Sequence, residues 1–164
     1  MTTTPCLAKV LTVSDGVAGG LREDLSGAAV VVRLESEGFD VIEHRVVPDG
    51  VDAVVNALSY MAYGFNGLIV TTGGTGFGPR DLTPEATRRI LDRLAPGLGD
   101  AMRGASPLGR LSRAVAGTRG AALILNVAGS PAGATEMLDA VLDVVPHALE
   151  LMAGHTEHTA TDPD

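Results

Sequence analysis

Apolar positions along the chain fall into two patterns that alternate with each other. Short runs rich in β-branched residues, bounded by polar or glycine turns, predict strands at 7–13, 41–47, 67–72 and 121–127. Segments with apolar residues three and four apart predict helices at 26–37, 51–63, 83–94, 97–105 and 131–152. Strands that alternate with helices predict an α/β domain in which helices cover both faces of a mostly parallel sheet.

Capping residues refine the limits of these helices. Ser26, Thr83 and Ser130 each precede an apolar face, and their hydroxyl groups can accept from the first free backbone N–H groups of a helix. Pro146 is expected to kink or split the last helical region, because proline lacks a backbone N–H. Residues 106–120 show neither period and are expected to be irregular.

The chain is long enough to form one domain with a packed core. Its 164 residues match the usual size of a single domain, and we expect that domain over 1–153, followed by a polar, disordered tail over 154–164. A net charge of −8 and an aromatic content of 3% exclude a nucleic-acid binder that relies on a broad basic face or on base stacking. The one cysteine, Cys6, cannot form an internal disulfide or a thiolate zinc site.

The sequence predicts neither secretion nor membrane insertion. The first residues contain no basic region followed by a long apolar run. The uncharged stretch 53–79 is interrupted by polar residues and glycines, so it is not predicted to span a membrane. We therefore expect a soluble, cytoplasmic protein without a membrane partner.

Residues 71–84 form the most informative segment of the chain. Four glycines within 73–78 let backbone N–H groups approach an anion closely, and Arg80 adds a forked cation that suits phosphate. Asp81 would repel an anion unless a cation lay between them. Mg²⁺ is the simplest such cation, because carboxylate and phosphate oxygens bind it together. The segment is neither a P-loop nor a dinucleotide fingerprint, and a turn that merely leads into a capped helix is the alternative.

Polar segments follow every predicted strand. Because the carboxyl ends of parallel strands form one rim of a sheet, these segments should converge: Ser14–Asp15, Pro48–Gly50, 71–81 and 126–131. Asp49 is then the natural partner of Asp81, although it could instead, or also, cap the following helix. The turn 129–131 could bind phosphate at a helix N-terminus or serve merely as a cap. The sequence around Arg113, taken alone, is typical of a solvated loop.

Residues 73–86, Gly-Gly-Thr-Gly-Phe-Gly-Pro-Arg-Asp-Leu-Thr-Pro-Glu-Ala, resemble the signature of the MogA/MoaB family of molybdenum-cofactor biosynthesis proteins. The G domain of gephyrin belongs to the same family. Further segments match the family in its order along the chain: 13–15, 23–27, 47–49, 111–117 and 126–131. The resemblance extends over residues 7–153 and is specific, because several motifs occur in the same order.

This resemblance implies a three-layer α/β/α fold, commonly assembled as a homotrimer, and an enzyme that adenylylates molybdopterin with Mg-ATP and releases pyrophosphate. A molybdate-insertion protein is a further implied partner. Asp49 and Asp81 would be the catalytic residues and would hold Mg²⁺. Nucleotide and phosphate groups would be bound by Thr72, Gly73, Gly74, Thr75, Gly76 and Arg80. The pterin would be bound by Ser14, Asp15, Ser112, Arg113, Gly129, Ser130 and Pro131.

The chain also departs from the family pattern. Many members have Asp-Glu where this chain has Asp49-Gly50, and Leu-Pro-Gly-Ser where it has 127–130. The stretch 105–112 is a few residues shorter than in typical members. Because these differences bear on the pterin pocket, a non-catalytic pterin-binding scaffold is a second hypothesis. A third is a nucleotide-pyrophosphate hydrolase that would use the same carboxylates and release AMP without a pterin.

Overall fold

A six-stranded sheet forms the centre of the molecule. The structure is a computed structural model and describes residues 4–155. The strands are β1 (Leu7–Val13), β2 (Asp40–Val47), β3 (Gly67–Thr72), β4 (Arg93–Leu94), β5 (Ala116–Arg119) and β6 (Ala122–Val127). Their order across the sheet is β2-β1-β3-β6-β5-β4. The first four strands in that order, β2, β1, β3 and β6, run parallel. β5 is antiparallel to β6, and β4 is antiparallel to β5.

Seven α-helices and one 3₁₀ helix are found within residues 4–155. They are α1 (Asp15–Ala18), α2 (Leu25–Ser36), α3 (Val51–Ala62), α4 (Thr83–Ile90), α5 (Pro96–Arg103), α6 (Pro131–Asp139) and α7 (Val145–Met152), with the 3₁₀ helix at Pro107–Leu111. The prediction that the last helical region is split is confirmed, since α6 and α7 are separate and Pro146 lies in the first turn of α7.

Alternating side chains of the buried strands build two cores, one on each face of the sheet. Val10 and Val70 pack in the core beneath α2, α6 and α7. The next residue of β1, Leu11, and the preceding residue of β3, Ile69, lie in the other core, beneath α3 and α4. This alternation is the period of two that strands impose. It confirms the predicted three-layer fold with helices on both faces.

Two strands were not predicted, and both lie at the antiparallel end of the sheet. The prediction that 106–120 is irregular is wrong at Ala116–Arg119, which forms β5. Leu94 was assigned to the apolar face of a helix, but α4 ends at Ile90 and Leu94 is an exposed residue of β4. Both strands are too short to show a period, and they are stabilised by pairing with β6 and with each other rather than by local pattern.

Two of the three predicted helix caps are wrong. Asp24, not Ser26, caps α2, and its Oδ1 accepts from Gly27 N at 2.9 Å. Thr83 is the first residue of α4 rather than its cap, and its hydroxyl donates to the Gly73 carbonyl at 2.9 Å. Ser130 caps α6 as predicted, since its Oγ accepts from Gly133 N at 3.1 Å.

Two further predictions concern membrane insertion and the tail. Across the described part of the chain, no helix combines the length and the apolar character needed to cross a membrane. Of the tail predicted over 154–164, the positions from 156 onward lie outside the described residues, so its disorder stays a prediction.

Candidate active site

The carboxyl ends of β1, β2, β3 and β6 meet at one rim of the sheet, as predicted. Ser14 N donates to the Val47 carbonyl at 3.0 Å, and Gly73 N donates to the Val127 carbonyl at 3.2 Å. A cavity of about 610 Å³ opens at this rim. Its lining consists of Val13, Ser14, Val17, Arg22, Glu23, Asp24, Leu25, Ser26, Asp49, Gly73, Gly74, Asp81, Gly129 and Pro131.

Asp49 is held by the neighbouring strand and does not cap a helix. Gly50 is the N-terminal boundary residue of α3, and no side chain caps that helix. Asp49 Oδ2 instead accepts from Asp15 N at 2.9 Å, and Asp15 Oδ1 accepts from Asp49 N at 3.2 Å. This reciprocal pair joins the ends of β1 and β2. It positions the Asp49 carboxylate at the cavity.

The glycine turn after β3 needs glycine because two backbone segments approach each other closely. Gly73 has a φ of 101°, and a Cβ there would lie 2.2 Å from the Val13 carbonyl oxygen. The same turn is fixed from both sides by hydroxyl groups, since Thr72 Oγ1 donates to the Ala128 carbonyl at 2.7 Å and Thr83 Oγ1 donates to the Gly73 carbonyl. The turn is therefore fixed in close contact with the ends of β1 and β6.

Several backbone donors of this turn are free. Gly73 N is bonded to Val127, but within residues 4–155 no acceptor receives the N–H groups of Gly74, Thr75 and Gly76. Consecutive free N–H groups on a glycine-rich turn form an anion-binding concavity. Three of the predicted phosphate-binding residues thus have donors available, whereas the Gly73 N–H and the Thr72 hydroxyl are already used.

Asp81 lies on the loop 73–82, between β3 and α4. Its Oδ2 accepts from Gly78 N at 2.8 Å. Among the described residues, no donor reaches Oδ1 of Asp81 or Oδ1 of Asp49. Each of the two cavity carboxylates therefore has one oxygen fixed by a backbone donor and one oxygen available to a ligand.

Arg80 links the loop to the ends of β1 and β2. Its Nε and Nη2 donate to the two oxygens of Asp15 at 2.6 and 3.0 Å, and Nη2 also donates to the Asp49 carbonyl at 2.8 Å. The hydrogen bond from Arg80 lowers the pKa of the Asp15 carboxyl, and the same contact raises the pKa of Arg80. Arg80 was predicted to bind phosphate. Here Nη1 is the guanidinium nitrogen with no acceptor in the described chain.

Arg113 lies behind the loop and is absent from the cavity lining. Its backbone N donates to the Thr75 carbonyl at 2.8 Å, its Nε to the Gly76 carbonyl at 2.9 Å and its Nη2 to the Asp81 carbonyl at 2.5 Å. Nη1 pairs with the Glu85 carboxylate. Burial raises the pKa of Glu85, but hydrogen bonding and attraction from Arg113 outweigh burial, so the net pKa lies below its usual range.

The predicted site residues fall into two groups. The cavity lining includes Ser14, Asp49, Gly73, Gly74, Asp81, Gly129 and Pro131. The residues outside that lining are Asp15, Thr72, Thr75, Gly76, Arg80, Ser112, Arg113 and Ser130. The lining residues 22–26 were missed as site residues. Their signal was present, since 23–27 matches the family in order, but the sequence assigned only a capping role there, to Ser26.

The structure also shows what replaces the family's turn proline. Ala128 has a backbone N–H that proline would lack, and this N–H donates to Met137 Sδ at 3.3 Å. The Ala128 carbonyl accepts from Thr72. The turn is thus held at both of its polar groups without a proline. Gly50, at the other departure, has a φ of 118°, which a glutamate would adopt only with strain.

Comparisons with known proteins agree with this geometry. The family described as "Probable molybdopterin binding domain" matches residues 9–147. A molybdopterin adenylyltransferase of Helicobacter pylori strain J99 is 38% identical over 153 residues, which cover 89% of this chain and 87% of the relative. MoaB of Thermus thermophilus, a molybdopterin biosynthesis enzyme, is 46% identical with a TM-score of 0.86, covering 91% of this chain and 97% of that one.

A second solved structure agrees. The molybdopterin biosynthesis Mog protein of Mycobacterium ulcerans is 41% identical with a TM-score of 0.84, and the match covers 93% of this chain and 99% of that one. Family model, sequence identity and fold similarity therefore agree over most of the chain. The chain belongs to the MogA/MoaB family of molybdenum-cofactor biosynthesis proteins.

Proposed function

We propose that this chain adenylylates molybdopterin, with ATP as co-substrate. A terminal phosphate oxygen of molybdopterin attacks the α-phosphorus of ATP, the bond from that phosphorus to the β-phosphate oxygen breaks, and pyrophosphate leaves. The observation that carries the proposal is the presence of two carboxylates, Asp49 and Asp81, beside a glycine turn in one cavity. The name of the Helicobacter pylori relative supports the same reaction.

Both reactants are anions, so the protein must align them and balance their charge rather than supply a covalent nucleophile. The free N–H groups of Gly74, Thr75 and Gly76 would bind nucleotide phosphate oxygens. Arg80 would contribute Nη1 or exchange its Asp15 partner for phosphate. Phosphates would thus lie on the β3 side of the cavity.

The acidic residues of the cavity fit Mg²⁺. This ion keeps several waters and is held by one or two carboxylates together with substrate phosphates. Asp49 and Asp81 each have an oxygen without a donor, whereas residues 4–155 contain no group of three or more His, Cys, Asp or Glu side chains that could hold a metal. Nucleotide phosphates would therefore complete the coordination. Bound Mg²⁺ would supply the positive charge that screens the two reactants from each other.

The pterin would lie on the other side of the cavity, against Ser14 and the turn 129–131. Gly133 N and Ala134 N of α6 are bonded to Ser130, and Pro131 has no N–H, so the Ala132 N–H and the positive end of that helix would favour a phosphate of the pterin. Asp15 and Ser112 lie outside the cavity lining and are proposed, from the family resemblance, to contribute to the same side. This placement would bring the α-phosphate of ATP next to the terminal phosphate of the pterin.

Assembly and partners are proposed from the family. A homotrimer predicts a sedimentation mass three times the 16.7 kDa of one chain, and a mass of one chain would contradict it. A molybdate-insertion protein would consume the adenylylated pterin, because the adenylyl group is a leaving group for the next step.

The test is pyrophosphate release from ATP by the purified chain, measured with and without molybdopterin. The proposal expects release that depends on both molybdopterin and Mg²⁺, with AMP attached to the pterin in the product. Tight molybdopterin binding without release would favour the scaffold. AMP formation from a dinucleotide without a pterin would favour the hydrolase. Either result would overturn the proposal.

A further inference from the structure

The loop 73–82 must hold a site residue in place without regular secondary structure. It carries Asp81, yet it contains neither helix nor strand and is rich in glycine. Hydrogen bonds within the loop fix the Asp81 carboxylate locally, since its Oδ2 accepts from Gly78 N and its own N–H donates to the Gly78 carbonyl at 3.0 Å. These contacts move together with the loop. They do not anchor it to the rest of the domain, whereas Arg80 does so at its own position by donating to Asp15 and to the Asp49 carbonyl.

Arg113 supplies an anchor from a different segment. Its backbone N–H and two of its guanidinium nitrogens donate to three loop carbonyls, those of Thr75, Gly76 and Asp81. Gly76 and Asp81 lie on either side of the bend that carries Gly78. A planar guanidinium has its donors in a fixed fork, so it sets the spacing between those two carbonyls. A lysine ammonium lacks that planar fork.

Glu85 holds the guanidinium in this orientation. It lies in the first turn of α4 and pairs with Arg113 Nη1. Glu85 Oε2 is buried and has no hydrogen-bond partner among the described residues, so this carboxylate depends on Arg113 for its charge balance. The pair thus joins the loop to α4 as well as to the segment before β5.

We propose that Arg113 is a positioning residue that acts on the reaction through Asp81, with Glu85 as its orienting partner. This inference rests on the proposed function for its kinetic consequence, but its structural consequence does not. Arg113 was expected to contact the pterin from the family resemblance. Its absence from the cavity lining and its bonds to loop carbonyls favour the positioning role.

The experiment compares Arg113→Ala and Arg113→Lys with Arg110→Ala, a matched control that removes the same charge from the neighbouring 3₁₀ helix. Arg110 is exposed and bonds within that helix, to the Pro107 carbonyl. The first readout is amide hydrogen exchange over 73–82, which requires no activity. Faster exchange in both Arg113 variants, with unchanged exchange in Arg110→Ala, is expected. Unchanged exchange in Arg113→Ala would overturn the proposal.

The second readout is kinetic and separates positioning from pterin contact. We expect kcat of Arg113→Ala to fall about 100-fold, because a displacement on the scale of 1 Å costs about that much, with KM for molybdopterin within about threefold of the unchanged chain. Added guanidinium should restore part of kcat in Arg113→Ala and should not affect Arg110→Ala. A raised KM with unchanged kcat would show direct pterin contact instead. If the unaltered chain were inactive, the proposed function would be contradicted. The hydrogen-exchange result would still decide whether Arg113 holds the loop 73–82.

Discussion

The two carboxylates of the cavity are held by different means. Asp49 lies two residues after the end of β2, and it exchanges backbone-to-carboxylate hydrogen bonds with Asp15, which lies two residues after the end of the adjacent β1. Asp81 lies within a loop, and its carbonyl is held by Arg113. The sheet therefore positions Asp49, whereas a side chain positions Asp81. A site with one carboxylate on the scaffold and one on a loop can adjust the second without disturbing the first.

The two arginines next to Asp81 differ in the same way. The Arg80 side chain is 62% exposed and pairs with the exposed Asp15, whereas Arg113 is 31% exposed and bonds to loop carbonyls. An exposed ion pair contributes little to stability and can exchange partners. A half-buried guanidinium with several acceptors is costly to remove. From this difference we propose ligand binding for Arg80 and loop positioning for Arg113.

Among the changes that compare the two arginines, replacement of Arg113 should have the largest effect on stability. Arg113→Ala removes three side-chain contacts and leaves the partly buried Glu85 without its partner, so the free energy of unfolding should fall by about 2 kcal/mol. Arg80→Ala should lower it clearly less than Arg113→Ala does, because an exposed ion pair is screened by solvent. Urea unfolding followed by circular dichroism measures both. Equal losses in the two variants would break the distinction between the arginines.

The next effect concerns nucleotide binding by Arg80. Arg80→Ala should weaken ATP binding about tenfold, because it removes a forked cation beside the free N–H groups of the glycine turn. Calorimetric titration with Mg-ATP measures this affinity, with Arg89→Ala on the exposed side of α4 as the charge-matched control. ATP affinity that is unchanged in Arg80→Ala would assign Arg80 to structure alone.

The smallest expected effect is the pH-dependent contribution of Glu85 to the free energy of unfolding. Its pKa is lowered in the folded chain, so the charged form stabilises the fold above the unfolded pKa of about 4.3. That contribution is lost as the pH falls through the lower folded pKa. Glu85→Gln should therefore reduce the free energy of unfolding by less than about 1 kcal/mol at pH 7, and the difference should disappear at low pH. A difference that persists at a pH of about 2, well below that unfolded value, would contradict a charge-dependent role.

Sequence patterns predicted the parallel part of the fold well because that part obeys local rules. The strands from Gly67 and from Ala122 are continuous apolar runs buried on both faces, and α3 has an unbroken apolar stripe. The short β4 and β5 have no such pattern. β5 pairs with β6 and β4 pairs with β5, so each strand depends on a neighbour that its own residues could not reveal.

The site was predicted in outline, but several roles required the structure. Strand order brings Asp49 and Asp81 to one cavity, as the strand-end rule predicts. The sequence could not show that the Thr83 hydroxyl is used by the Gly73 carbonyl, or that Ala128 N–H has Met137 Sδ as its acceptor. Each of these pairings joins two separate elements or turns. It therefore depends on where the folded chain places the side chain, which a sequence pattern does not show.

The most direct test of the central claim follows the α-phosphate of ATP. ATP labelled at that phosphorus is incubated with Mg²⁺ and molybdopterin in the presence of the unaltered chain, Asp49→Asn, Asp81→Asn or Asp52→Asn, the last being an exposed α3 carboxylate that serves as the charge-matched control. The account predicts label in the pterin product with the unaltered chain and Asp52→Asn, and at least about a 1000-fold slower transfer, roughly 4 kcal/mol of lost transition-state stabilisation, in the other two. Transfer at the unaltered rate in both Asp49→Asn and Asp81→Asn would contradict it.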